Sequence, residues 1–252
     1  MSGRLLGKGI IITGGTSGIG EDAVYRCLKE GAYVVFTGRD VDRANNVLAR
    51  AKEISDHVKF IRQDVTNEQD WINLAKDSQA FLPSLDGLLN NAGTFVVGPI
   101  EELTLDSFEW LINLNVNSVF LGLKHILPIM RKNKKGVILN NASLSGLVGH
   151  EHCLAYCTSK AAAIQLGNVA ALEAAKDKVR VLSLAPGPVW NDMLADRFGD
   201  NPETKQYFID TQPYKELCVP KHISDAIVFF MSDQARYITG TAIKIDCGRG
   251  AD

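Results

Sequence analysis

The sequence predicts an α/β fold, a single domain built on a doubly wound, parallel, seven-stranded sheet. Three observations carry that expectation. Short β-branched runs alternate with longer helical patterns along the whole chain, the order that parallel strands joined by crossover helices require. The strand runs are apolar throughout, as they must be when helices cover both faces of a parallel sheet. The first strand leads straight into a glycine-rich turn and a helix.

In order, the first strand occupies 9–13 and the helix after its turn spans 19–28. A strand at 33–37 precedes a helix over 42–54, and one at 58–62 precedes a helix over 68–81. The fourth strand, 87–90, is followed by one long helical pattern over 105–130, and the fifth, 136–140, by a helix over 155–175. The sixth strand, 179–184, opens into the longest irregular stretch, roughly 186–220, of which 188–215 is read as a substrate-binding loop. A helix over 223–231 and a strand at 242–246 close the pattern. No linker, repeat or composition shift divides the chain, so residues 1–252 are read as one domain.

Composition narrows the function. Hydrophobic residues make up 46% and charged residues 22%, which excludes a disordered or coiled-coil chain. Lys and Arg number 27 against 29 Asp and Glu, so no field of one sign attracts nucleic acid or an anionic membrane. The apolar run near the start is too short for a signal sequence or a membrane span, and the five cysteines are scattered and odd in number. Both features point to a cytoplasmic protein with reduced thiols. His150, His152, Cys153 and Cys157 cluster, but no second ligand pair follows at finger spacing, so no metal is expected.

The turn Thr13-Gly14-Gly15-Thr16-Ser17-Gly18-Ile19-Gly20 has the strand-turn-helix setting of a dinucleotide-binding loop. Gly14 allows the tight turn. Gly18 and Gly20 let the backbone approach a pyrophosphate and the helix pack on the sheet, while free amides at the helix start supply donors and partial positive charge.

Its TGxxxGxG spacing resembles the short-chain dehydrogenase/reductase family, and further motifs match across essentially the whole chain. Asn90-Asn91-Ala92-Gly93 follows the fourth strand, Asp64-Val65 the third, and Pro186-Gly187 the sixth. Ser143, Tyr156 and Lys160 fall in the family's order, with thirteen residues from serine to tyrosine and four from tyrosine to lysine. The resemblance implies a Rossmann-like fold and an oxidoreductase. It also implies cofactor contacts from Gly14, Thr16, Ser17, Gly18, Ile19, Gly20, Gly38, Arg39, Asp64, Val65, Asn91, Ala92, Gly93, Tyr156, Lys160, Pro186, Gly187, Val189 and Asn191. Of the three asparagines in Asn113-Leu114-Asn115-Val116-Asn117, the following Ser-Val-Phe selects Asn115 as the family's catalytic asparagine.

Tyr156 and Lys160, four apart in a helical pattern, share one helix face, so the ammonium can lie near the phenol and favour its ionised form. In reduction Tyr156 would give a proton to the carbonyl oxygen while hydride reaches the carbon, with Ser143 hydrogen-bonded to the same oxygen. Two places depart from the family pattern. Asn191 stands where relatives carry threonine, and Asp246-Cys247-Gly248 replaces Asp-Gly-Gly.

The candidate substrate lining is Phe95, Val96, Ser145, His150, Trp190, Met193, Leu194 and Phe198, mostly apolar and without an arginine, which favours a neutral, fairly hydrophobic ketone or secondary alcohol. At the end of the second strand Gly38 stands where an NAD enzyme has a carboxylate, and Arg39 beside it can pair with a 2′-phosphate, so NADP(H) is expected over NAD(H). The basic run Arg131, Lys132, Lys134 and Lys135 raises an alternative, reduction of 3-oxoacyl groups on an acidic carrier protein. A non-catalytic dinucleotide-sensing regulator is the reading from another class. Similar family members pair the faces of the 105–130 and 155–175 helices, so a homotetramer is expected.

Overall fold

Successive side chains of a strand point to opposite faces, so an unbroken apolar run has to be covered on both sides. In β1 (Gly9–Ile12), Ile10 and Ile12 enter one core while Ile11 enters the other. The computed structural model describes residues 3–251. The other strands are β2 (Tyr33–Gly38), β3 (Val58–Arg62), β4 (Gly87–Asn90), β5 (Gly136–Asn141), β6 (Val179–Pro186) and β7 (Ala242–Ile245). They form one sheet in the order β3-β2-β1-β4-β5-β6-β7, and every neighbouring pair is parallel.

Helices α1 (Gly18–Lys29) and α2 (Val41–Lys52) cover one face, where Val24, Cys27 and Val47 meet Ile10, Val34 and Phe36. The other face takes α3 (Glu68–Phe81), then α4 (Leu105–Ile112), α5 (Ser118–Lys132) and α6 (Leu154–Ala174). There Trp71, Leu74, Ile126, Met130 and Ala170 pack on Ile11, Val35, Leu88 and Ile138. Two short helices, α7 (Asp192–Phe198) and α8 (Pro202–Asp210), precede α9 (Pro220–Met231), which returns to the first face beside α1.

Two elements differ from the sequence expectation. The 105–130 helix is interrupted by a π turn, Asn113–Asn117, which places Asn115 inward with 2% of its surface exposed. The stretch read as irregular folds into α7 and α8, each begun by an asparagine cap: Asn191 Oδ1 accepts from Leu194 N and Asn201 Oδ1 from Thr204 N. Strand ends move by a residue or two. Thr13, for instance, leaves β1 because its hydroxyl serves the loop after β4.

The basic run at the end of α5 is largely engaged within the fold. Arg131 and Lys134 bind Asp177, and Lys135 binds the buried Asp86 at 2.6 Å. Hydrogen bonding holds the Asp177 carboxyl at a pKa of about 2, Lys134 giving the larger effect and Arg131 the next. Asp86 also accepts from Gly9 N at 3.0 Å, which ties the start of β1 to the turn before β4. Burial alone would raise its pKa, but bonds from Lys135, Ser84 and Gly9 outweigh that and lower it. All five cysteines are free thiols, and among the described residues no helix is long and apolar enough to cross a membrane.

Asp86→Ala should therefore lower the melting temperature, since it removes the buried acceptor of Gly9 N and Ser84 Oγ and the partner of an exposed lysine, and unsatisfied buried donors typically cost about 1–3 kcal/mol. A depressed carboxylate contributes stability above its unfolded pKa and loses it on acidification, so the gap between parent and variant should close at low pH. Thermal melts across pH check both; equal melting at neutral pH would show that the pair is not structural.

Candidate active site

The carboxyl ends of the parallel strands open into a cleft of about 760 Å³. At one end lies the turn after β1. Gly14 and Gly18 adopt φ of +63° and +56°, left-handed conformations that favour glycine, and a Cβ at Gly20 would stand 2.2 Å from Gly14 O. Ser17 occupies the N-cap of α1, yet its side chain does not cap the helix, so the first-turn amides remain available to the cleft. A glycine cradle under an uncapped helix start fits a pyrophosphate.

Behind this turn runs a line of partly buried polar contacts. Thr13 Oγ1 accepts from Asn91 N and Ala92 N, and Asn91 Nδ2 donates to Thr13 O and Gly14 O. Asn141 Nδ2 donates to Asn91 Oδ1 at 2.9 Å, while the backbone oxygen of the same Asn141 accepts from Lys160 Nζ at 2.9 Å. Asn115 Oδ1 accepts from Thr94 N, and its Nδ2 donates to Thr94 O and Ser159 Oγ. Asn113 and Asn117 bond only each other at the surface, so the π turn distinguishes Asn115 from its neighbours.

Ser143, Tyr156 and Lys160 converge where this line meets the cleft. Lys160 is 7% exposed, and its Nζ lies 5.7 Å from the centre of the Tyr156 ring. Burial lowers its pKa to about 8. Crowding raises the Tyr156 pKa although part of its side chain still faces the cleft; the nearby Ser143 hydroxyl opposes that shift. The phenol therefore holds a proton at neutral pH that it can donate, beside an ammonium able to stabilise the anion left behind.

Every cofactor residue expected from the sequence lines the cleft except Gly20, which lies beneath the turn. Asp64 accepts from Thr66 N and Oγ1; burial would raise its pKa, but those bonds and the nearby Arg39 and Arg62 lower it. Beside it Gln63 lines the cleft with its amide buried and both ends unpartnered among the described residues, a feature the sequence did not reveal. Asn191 lines the cleft but uses its Oδ1 to cap α7, leaving Nδ2 near Gly18.

At the substrate end Phe95, Ser145, His150, Met193, Leu194 and Phe198 line the cleft, while Trp190 and Val96 do not. Pairing of Trp190 N with Cys218 O goes with a ring placed against Phe208 behind the wall, under Lys205 Nζ. Phe95 stacks on Phe198, and Phe198 meets Phe208 edge to face, so α7 and α8 supply an aromatic wall reaching Tyr156. Trp110, Leu114, Tyr207, Phe208 and Arg249 also line the cleft and were missed. Asn201-Pro202 was a legible helix start for α8, whereas nothing local marked Arg249. The arginine removes one ground for a neutral substrate. Among the described residues no three His, Cys, Asp or Glu side chains come together to hold a metal.

A doubly wound sheet with a dinucleotide cradle and a buried lysine-tyrosine pair defines an oxidoreductase class. Residues 14–249 match the family model described as Enoyl-(Acyl carrier protein) reductase. The chain is 30% identical to cyclopentanol dehydrogenase of Comamonas sp. (strain NCIMB 9872), covering 99% of this chain and all of that protein. It is 32% identical to 2-(S)-hydroxypropyl-CoM dehydrogenase 3 of Xanthobacter autotrophicus, over the full length of both. Levodione reductase superposes with a TM-score of 0.94 at 28% identity, covering 98% of this chain and 99% of that one. The chain belongs to the short-chain dehydrogenase/reductase family and is an oxidoreductase of alcohol dehydrogenase type.

The Lys160 pKa predicts a stability effect opposite to the activity effect. A lysine whose folded pKa lies below its unfolded value destabilises the fold while charged in both states; the protein gains stability as pH rises from about 8 toward the ordinary lysine range. Lys160→Met should therefore melt higher than the parent near neutrality, with the gap shrinking on alkalinisation, while turnover is lost. Tyr156→Phe should fold normally and lose about 10²–10⁴-fold in turnover, the usual worth of a positioned acid or base. Melting scans and single-turnover rates decide both, and a fully active Tyr156→Phe would remove the proton donor from the scheme.

Proposed function

We propose that the protein is an NADP(H)-dependent oxidoreductase interconverting a ketone of largely hydrophobic body and its secondary alcohol. The observation that carries this reading is the convergence of Ser143, Tyr156 and Lys160 between a dinucleotide cradle and an aromatic wall. The dinucleotide, when bound, supplies the hydride for reduction and takes it up in oxidation. Tyr156 gives its phenolic proton to the carbonyl oxygen, and Ser143 hydrogen-bonds that oxygen and orients it. Lys160 stabilises the phenolate and would help hold the ribose hydroxyls of the dinucleotide. Asn115 fixes the Thr94 backbone and Ser159, which in turn holds the Tyr156 carbonyl. Phe95, Phe198 and Phe208 exclude water from the reacting carbon.

Arg39 supports the cofactor preference. It lines the cleft, and among the described residues it forms no ion pair with Asp40 or Asp42, Asp40 instead capping α2 and pairing with Arg43. The Gly38 position is also crowded: a Cβ there would lie 2.6 Å from Thr16 Cγ2, so a carboxylate needs Thr16 to move. The carrier-protein alternative is weakened by the ion pairs of Arg131, Lys134 and Lys135, which among the described residues leave Lys132 as the cation of that run without an acidic partner. The apolar residues Leu105, Trp110, Phe120 and Leu172 on α4, α5 and α6 are exposed, which supports a homotetramer closed through those faces.

Arg39→Ala should weaken NADPH by about tenfold or more through loss of a charged hydrogen bond while changing NADH little. Gly38→Asp combined with Thr16→Ala should reverse the preference. Cofactor-dependent absorbance over a panel of cyclic and aromatic ketones measures both, and a wild-type kcat/KM higher with NADH than with NADPH defeats the argument. Sedimentation at micromolar concentration should give a tetramer; a monomer would leave those apolar faces unexplained.

A further inference from the structure

The C-terminal turn directs an arginine into the cleft. Asp246 is buried and its carboxylate accepts from Gly248 N and Gly250 N at 3.1 and 2.8 Å. Cys247 takes φ of +53°, a left-handed conformation that a side chain resists, and Gly250 sits where a Cβ would meet Leu144 Cδ1 at 2.4 Å. Leu144 follows Ser143 directly, so the turn is seated against the reaction centre and Arg249 projects between its two ends.

The Arg249 side chain makes one hydrogen bond among the described residues, from Nη1 to Thr211 O at a long 3.4 Å, and no carboxylate of those residues pairs with it. Its neighbour in the cleft wall is His150, whose pKa is lowered first by burial and then by the Arg249 charge, so the ring stays neutral and Arg249 is the cation of that end. A half-buried guanidinium that meets no carboxylate among the described residues and faces a pocket with an aromatic wall is a receptor for a planar anion.

We infer that Arg249 binds a carboxylate carried by the substrate at a distance from the reacting carbon, with His150 as a neutral hydrogen-bond partner. The inference rests on the ketone and alcohol reading above and gives its substrate class a second end: a keto acid or hydroxy acid with a hydrophobic spacer. The aromatic wall holds the spacer, Tyr156 meets the carbonyl, and Arg249 fixes orientation, so that only one face of the carbonyl meets the hydride donor.

The test compares straight-chain methyl-ketone acids of increasing length with their methyl esters, using wild type, Arg249→Leu and Arg249→Lys. At the best length wild type should prefer acid over ester by about tenfold or more in kcat/KM, the worth of a charge-assisted bond. The ratio should collapse in Arg249→Leu, chiefly through KM, and recover in part in Arg249→Lys. Equal wild-type values for acid and ester at every length, or a preference that survives Arg249→Leu, overturns the assignment. Calorimetry with hexanoate, which cannot react, separates this from failure of the parent reading. If no ketone is turned over, hexanoate binding to wild type and not to Arg249→Leu still upholds Arg249, and its absence refutes it.

Discussion

The site depends on one partly buried run of hydrogen bonds that crosses the carboxyl ends of β1, β4 and β5. It passes from the backbone oxygens of Thr13 and Gly14 to Asn91, from Asn91 to Asn141, and from the Asn141 backbone to Lys160. In a doubly wound sheet the chain leaves neighbouring central strands in opposite directions, which opens a crevice lined by backbone ends. Leaving a polar group there unpaired is costly, because water cannot reach all of them. Asparagine suits the task, since it both donates and accepts. The same pairs fix the cradle relative to the lysine, so the two ends of the chemistry cannot drift apart without breaking several partly buried bonds.

Charges are placed by two different rules in this molecule. Asp86 and Asp177 are held by cations, and their pairing strengthens the fold. Lys160 has no carboxylate among its determinants; burial alone lowers its pKa, and one backbone oxygen accepts from it. An ammonium neutralised by a nearby carboxylate would stabilise the protein more and the Tyr156 anion less. The fold therefore carries strain at the position where the reaction needs an uncommitted positive charge, a pattern common to sites that trade stability for activity.

The sheet and most helices were legible because each apolar run is long, unbroken and bounded by a polar or glycine signal. The glycine turn and the Ser143, Tyr156 and Lys160 set were legible for another reason: fixed spacing on regular elements converts directly into geometry. The π turn was not, because one inserted residue leaves the apolar pattern of 105–130 nearly unchanged while rotating Asn115 inward. The two helices after β6 were hidden by their length, although Asn191 and Asn201-Pro202 were start signals in plain view. Trp190 and Arg249 failed in opposite directions for the same cause: both lie on irregular backbone, where side-chain direction is set by tertiary bonds, to Cys218 in one case and by Asp246 in the other.

That division has a functional side. In the proposed reaction the groups that move a proton lie on α6 and just past β5, and Lys160 is tied to the sheet ends by the asparagine run. The groups proposed to touch the rest of the substrate come from α7, α8 and the C-terminal turn, which are joined to one another and to the loop after β4 by ring contacts and a backbone bond. Aromatic contacts are individually weak, about 0.5–1.5 kcal/mol beyond burial, and can be exchanged one at a time. Under the proposed function a change at Arg249 would alter which molecule is held without touching Tyr156, whereas Phe198 reaches Tyr156 through Phe95, and a change at Asn91 or Asn141 reaches the cradle and the lysine together. Under the proposed function, substrate choice would be free to vary on this scaffold while the proton chemistry is held, because the two would be carried by contacts of different strength on different elements.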